Sequence, residues 1–192
     1  DVLDHSCSKM GFGGKMCIDG TAKMPEEFEE QHHFSDAGSL QVSADDFKSF
    51  PEISAVNLSL VAQGIPCLVI SVEKNRVGHI RELHASICSS IPAMETIKMV
   101  LFVEHTVAAN NLPVALWRFC NNLDPKRDHF LYSKTAVREA GKTFNCLGLD
   151  GTIKTKEFDN FQRDWPNIIV AADQTIDSVD KKWDVLGIGP FI

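Results

Sequence analysis

The sequence predicts an α/β or α+β domain in which helices pack on a mixed, partly parallel sheet. Three observations carry that expectation. Two short runs, IPCLVISVE (65–73) and IKMVLFVEH (97–105), are apolar at successive positions, as strands buried on both faces must be. Between them Ile80, Leu83, Ile87 and Ile91 recur at spacings of three and four, the period of a helix covering a sheet face. A strand, a helix and a second strand in one sheet imply a crossover connection, which sets the two strands parallel.

The remaining elements follow along the chain. Residues 24–50 are acidic and Ser-rich without a sustained period, the composition of a linker or peripheral loop, so the main domain is expected to begin near residue 50. A second helix starts at Asn111, a suitable N-cap, with Pro113 in the first turn, where a missing N–H costs little. It carries Leu112, Leu116, Phe119 and Leu123 on one side, and DPKRD (124–128) ends it, because the residue before a proline is pushed out of the helical region. Strands are expected at HFLYS (129–133) and, after Trp165-Pro166, at NIIVAAD (167–173). A C-terminal helix over 175–186 aligns Ile176, Val179, Trp183 and Leu186, with Gly187 and Gly189 able to end it.

Composition narrows the function classes. A chain of 192 residues, 44% hydrophobic, suits one sizeable core with an appendage. A formal net charge of -7 and the lack of a basic run argue against a nucleic-acid surface. The apolar runs fall well short of the roughly 18–20 residues that cross a bilayer, so no membrane span is expected. Six cysteines at wide spacings, none in a C-x-x-C pair, fit reduced thiols in a cytoplasmic protein.

One phrase occurs twice. Asp-Gly-Thr-x-Lys stands at Asp19–Lys23 and again at Asp150–Lys154, with Glu26 and Glu157 also in register. Asp-Gly suits a turn leaving a strand, where Gly tolerates positive φ and the following Thr and Lys can offer donors to an anion. The plainer alternative is a strand-ending turn with Asp bonded to its own backbone. Lys15, Asp19 and Lys23 are the ligand-contact candidates, and Lys154 is expected to be structural. GFGGKM (11–16) matches neither common nucleotide-loop pattern, since Lys9 and Met16 stand where glycines are required. His5 with Cys7, and His32 with His33, lack a second pair at zinc-site spacing, so no metal site is expected. No catalytic triad can be assigned from spacing alone. Glu73-Lys74 and Glu104-His105, closing consecutive central strands, are placed where open α/β sheets bind ligands.

Four stretches together resemble the C-terminal domain of the UbiD-like carboxy-lyases: GIPCLVISVEK, IKMVLFVEHTVAANNLPVALWRFCNNLDPKRDHFLYS, GLDGTIKTKEFDNFQRDWP and VDKKWDVLGIG. The resemblance runs from about residue 50 to 188 in consistent order. It implies a UbiD C-terminal-domain-like fold for residues 50–192, and a 3-polyprenyl-4-hydroxybenzoate carboxy-lyase type of parent enzyme with a place in ubiquinone or menaquinone biosynthesis. The reaction it implies is decarboxylation of an aromatic or unsaturated acid with prenylated FMN. In that family the catalytic residues, the prenylated FMN and its divalent metal belong to an upstream domain. No catalytic residue and no cofactor are therefore expected in this chain, which would be inactive alone.

Family members carry the repeated phrase once, near the chain end, with Ala where Gly20 and Gly151 stand here. The opening stretch matches it better than the later one, which lacks the Lys-Met pair. The expected organisation is thus the tail of a preceding domain copy (1–27), a linker (28–49) and a complete C-terminal-like domain (50–192). The resemblance further implies a lid role, with the upstream domain as partner and homo-oligomers formed through the C-terminal helix. Two alternatives stay open: a domain kept only for oligomerisation or interaction, and a small anion-binding protein using Lys15 and the Asp-Gly-Thr turns.

Overall fold

A computed structural model describes residues 9, 42–135, 143–168 and 171–189. Strands β1 (Ile53–Asn57), β2 (Cys67–Val72), β3 (Met99–Glu104), β4 (His129–Thr135) and β5 (Thr143–Asp150) form one sheet in the order β1-β2-β3-β5-β4. The three central strands, β2, β3 and β5, run parallel, while the edge strands β1 and β4 pair antiparallel with their neighbours. The mixed α/β sheet expected from the sequence is present.

Alternation in the central strands explains their continuous apolar character. Leu68, Ile70 and Val72 of β2, Val100 and Phe102 of β3, and Phe144 and Cys146 of β5 face one core. Helix α2 (His79–Ser90) covers it with Ile80, Leu83, Ile87 and Cys88. Cys67, Val69, Leu101, Val103 and Leu149 face the opposite way, onto Ala115, Phe119 and Leu123 in and just after helix α3 (Leu112–Asn122). A sheet sandwiched between two helical layers buries every residue of β2. Each of its Val, Leu and Ile side chains then contributes about 1.5–3 kcal/mol relative to exposure. Asn111 caps α3 as expected, accepting from the Val114 N–H at 3.3 Å.

Packing reaches back before residue 50. Val42 and Phe47 are buried in the α2-side core, and Ser43 opens a 3-10 turn (Ala44–Phe47) by a capping box with Asp46. The last residues of the expected linker 28–49 are therefore folded against the domain.

Two sequence expectations fail. Asn167, Ile168, Ala171 and Ala172 lie in no strand, and all four are exposed: the segment pairs with neither edge strand of the described sheet, β1 or β4, and composition alone does not supply a partner. The expected single helix over 175–186 is two helices, α5 (Asp173–Asp180) and α6 (Trp183–Leu186), divided by a turn at Lys181 and Lys182. Gly187 does end α6, in the left-handed region at φ 65°. Two short helices, α1 (Ser59–Ala62) and α4 (Lys156–Asp159), and a second 3-10 turn (Pro92–Thr96) complete the described elements. No helix among the described residues is long and apolar enough to cross a membrane.

Candidate functional site

The parallel strands β2, β3 and β5 end at Val72, Glu104 and Asp150, and buried charge gathers beyond them. Lys74, Asp150 and Lys154, which close or follow β2 and β5, line one cleft there, while Glu104, closing β3, is buried against Arg118 and Asn122.

Asp150 builds the turn after β5. Its Oδ1 accepts from the Thr152 N–H at 2.9 Å and from Thr152 Oγ1 at 2.5 Å. Lys154 then folds back under the same turn, donating from Nζ to the Asp150 carbonyl at 2.8 Å and the Thr152 carbonyl at 2.7 Å. The ammonium also lies 3.2 Å from Asp150 Oδ1 and 3.7 Å from Asp128 Oδ2. An ammonium has only three protons to donate, and the two carbonyls of the turn take two of them. Burial drives the Asp150 carboxyl upward, but Lys154, Lys74 and the Thr152 bonds outweigh it and hold the group below the usual carboxylate range.

Gly151 serves here by its size. It is absent from the positive-φ residues, yet a Cβ on it would stand 2.4 Å from Phe119 Cδ2 and 3.0 Å from the Phe102 carbonyl oxygen. That carbonyl accepts the Gly151 N–H at 2.9 Å. The positive φ expected of the Asp-Gly pair is thus replaced by a close approach between backbone and helix α3.

Lys74, two residues past β2, donates to the Ile153 carbonyl at 2.7 Å and to both carboxylate oxygens of Asp159 at 2.9 and 2.7 Å. Asp159 in turn accepts from the Thr155 N–H at the start of α4. Burial pushes the Lys74 ammonium below its ordinary range, opposed by Asp150 and Asp159. Glu104, at the end of β3, is buried against Arg118 and Asn122 of α3, and Asn122 also donates to the Gly151 carbonyl at 3.0 Å. Glu73 and His105, the other halves of the two strand-end pairs, are exposed.

DPKRD (124–128) does more than stop a helix. Arg127 donates twice to its neighbour Asp128, both at 2.6 Å, and its guanidinium sits 5.7 Å from the Phe161 ring and 6.0 Å from Trp165. Asp128 also accepts from the Asp124 N–H at 2.8 Å. Burial raises the Asp128 carboxyl, with Arg127 and Lys154 opposing the rise. Nothing in the sequence linked Asp128 to Lys154, because only the fold brings them together.

A cleft of about 150 Å³ opens between these groups, lined among others by Lys74, His79, Arg81, Asp128, Asp150 and Lys154. His79 accepts the Asn75 N–H at Nδ1, which leaves Nε2 to carry the proton toward Glu52, 3.4 Å away. The arrangement is a latch: charged side chains tie the ends of three parallel strands to the turn after β5. Lys15, Asp19 and Lys23, the candidates of the first copy, lie outside the described residues.

With this geometry in place, likeness to known proteins is informative. The model of the 3-octaprenyl-4-hydroxybenzoate carboxy-lyase C-terminal domain matches residues 40–141. Two Helicobacter pylori proteins are 30% and 31% identical over 188 residues, which is 95% of this chain and 26% of theirs. The chain therefore spans about a quarter of the length of the curated relatives it matches. The fold is also that of solved decarboxylase chains. Vanillic acid decarboxylase of Sedimentibacter hydroxybenzoicus, in its open form, superposes with a TM-score of 0.52 at 18% identity, over 73% of this chain and 30% of that one. The UbiD-class enzyme HmfF of Pelotomaculum thermopropionicum, in complex with FMN, gives 0.50 at 18% identity, over 70% of this chain and 30% of its own.

Proposed function

The chain belongs to the family of 3-octaprenyl-4-hydroxybenzoate carboxy-lyase C-terminal domains, and from that premise we propose that it is the lid and assembly portion of a UbiD-like decarboxylase. The observation that carries this reading is the latch. Lys74, Glu104, Asp150 and Lys154 occupy the ligand-binding end of an open α/β sheet, but Asp150 and Lys154 pair with each other, Lys74 pairs with Asp159, Glu104 pairs with Arg118 and Asn122, and both lysines also donate to backbone carbonyls. A sheet end locked in this way serves as a rigid cover better than as a reaction centre.

The reacting acid and the prenylated FMN then belong to a domain upstream, with a divalent metal beside the flavin. The small size of the cleft supports that assignment: about 150 Å³ is below the roughly 300–1,000 Å³ of sites that enclose a ligand of drug size. Prenylated FMN would supply the electron sink for loss of CO2 from an aromatic or unsaturated acid. Residues 50–192 close over it, and 1–27 are the tail of a preceding copy of the same domain.

Assembly is the second reading, favoured by a specific feature. Ile176, Val179, Val185, Leu186 and Ile188 are 39–83% exposed at the end of the chain, so an apolar stripe on α5 and α6 is available to a neighbouring subunit. The discriminating experiment is CO2 release from aryl and acrylic acids with prenylated FMN supplied. The full chain alone should release none, whereas the longer native polypeptide should turn over. Turnover by this chain alone would overthrow the lid assignment.

A further inference from the structure

Away from the latch, on the α2 face of the sheet, three soft donors converge. His84 and Cys88 stand one helical turn apart on α2, and Cys146 points at them from β5. Their nearest ligand atoms all lie within 4.8 Å of one another, with His84 Nε2 and Cys88 Sγ 3.6 Å apart. His84 is 1% exposed and both cysteines 0%. Among the described residues, this is the group of His, Cys, Asp and Glu side chains placed to share one ion.

The spacing suits a metal. On one tetrahedral zinc ion, a thiolate at about 2.3 Å and an imidazole nitrogen at about 2.0–2.1 Å stand roughly 3.5 Å apart. The fold also makes room for the ring. A Cβ at Gly148, on the same face of β5 as Cys146, would lie 2.1 Å from Phe130 and 3.0 Å from Cγ of His84, so only glycine admits both rings.

We propose that His84, Cys88 and Cys146 form an interior zinc site that staples α2 to β5. Two thiolates, a neutral imidazole and Zn²⁺ sum to zero charge, which suits a site otherwise lined by apolar side chains. Binding releases two thiol protons to solvent, and the three side chains fill three of four positions, leaving the fourth to a water carried in with the ion. Because the donors are buried, the ion enters as the chain folds.

The test uses the full chain, unfolded and refolded anaerobically with Co²⁺ as the probe. Thiolate-to-cobalt charge-transfer bands should saturate at one equivalent, and added Zn²⁺ should bleach them. Affinity should fall by about tenfold or more in His84→Phe and in Cys146→Ala, each of which keeps the core largely filled. Cys120→Ser and a His32→Ala, His33→Ala double variant should bind as the parent does. A parent chain that regains its circular dichroism without the bands overturns the proposal whatever the variants do. Bands that survive both ligand variants overturn it as well.

Discussion

Lys154 donates to the carbonyl of Asp150, four residues before it, while standing 3.2 Å from the carboxylate of the same residue. One side chain thereby neutralises the acid that shapes the turn and satisfies two backbone carbonyls that the turn would otherwise strand. Replacing it by methionine keeps the aliphatic stem but leaves Asp150 and Asp128 without their shared cation. Lys154→Met should cost about 3–5 kcal/mol of unfolding free energy, the range for removing one partner of a buried ion pair, and equilibrium urea denaturation would measure it.

Gly151 is fixed by space. Gly151→Ala drives a methyl group against Phe119 and the Phe102 carbonyl, so a loss of about 1–3 kcal/mol is expected. Adding Phe119→Leu should relieve part of that loss. A double-mutant cycle should show the two changes coupled by about 0.5 kcal/mol or more, whereas strict additivity would mean that strain at Gly151 does not arise from the ring.

The acids of the latch answer pH in opposite senses. The Asp150 carboxyl is lowered in the fold, so its stabilisation is fully present above the unfolded value of about 3.9 and is lost as pH falls below it toward the folded value. The Asp128 carboxyl is raised, so the fold binds its proton first, and stability gains from that group as pH falls from the folded value toward about 3.9. Thermal melts should therefore show Asp128→Asn removing the gain in stability on acidification toward about pH 3.9, and Asp150→Asn flattening the steep loss below it. Identical acid limbs for the parent and Asp150→Asn would contradict this account.

In the proposed assembly, exposed residues on the terminal helices serve the interface and hardly the fold. Val185 is 83% exposed and Leu186 48%. A Val185→Glu, Leu186→Glu variant should keep its unfolding free energy within about 0.5 kcal/mol for each change, as surface substitutions do. Light scattering should show a smaller particle for the variant than for the parent. An unchanged mass would remove α5 and α6 from the interface.

How far the sequence disclosed this arrangement depended on the element. β2, β3, α2 and α3 were legible because burial on both faces, or on one helical stripe, leaves an unbroken periodic record, and Asn111 announced its own cap. β1 left little trace, since an edge strand with irregular register and only Asn57 fully buried alternates poorly. Ile168 and its neighbours misled because an apolar, β-branched run has the composition of a strand whether or not a sheet edge is open to it. In the site, Lys74 and Glu104 were legible from their position at strand ends. Asp128 was not, as its meeting with Lys154 depends on the pairing of β4 with β5. The Asp-Gly-Thr-x-Lys phrase was visible at once, but its use was not: at Asp150–Lys154 the lysine holds the turn, and Lys23 stands at the equivalent place in the first copy.

Native mass spectrometry of the polypeptide that carries this sequence, isolated from its source with its cofactor bound, tests the central claim most directly. A chain well above 21.3 kDa that carries the added mass of a prenylated flavin is the expected result. A complete product of 21.3 kDa, or a longer chain with no flavin adduct, would contradict its assignment as the covering domain of a decarboxylase.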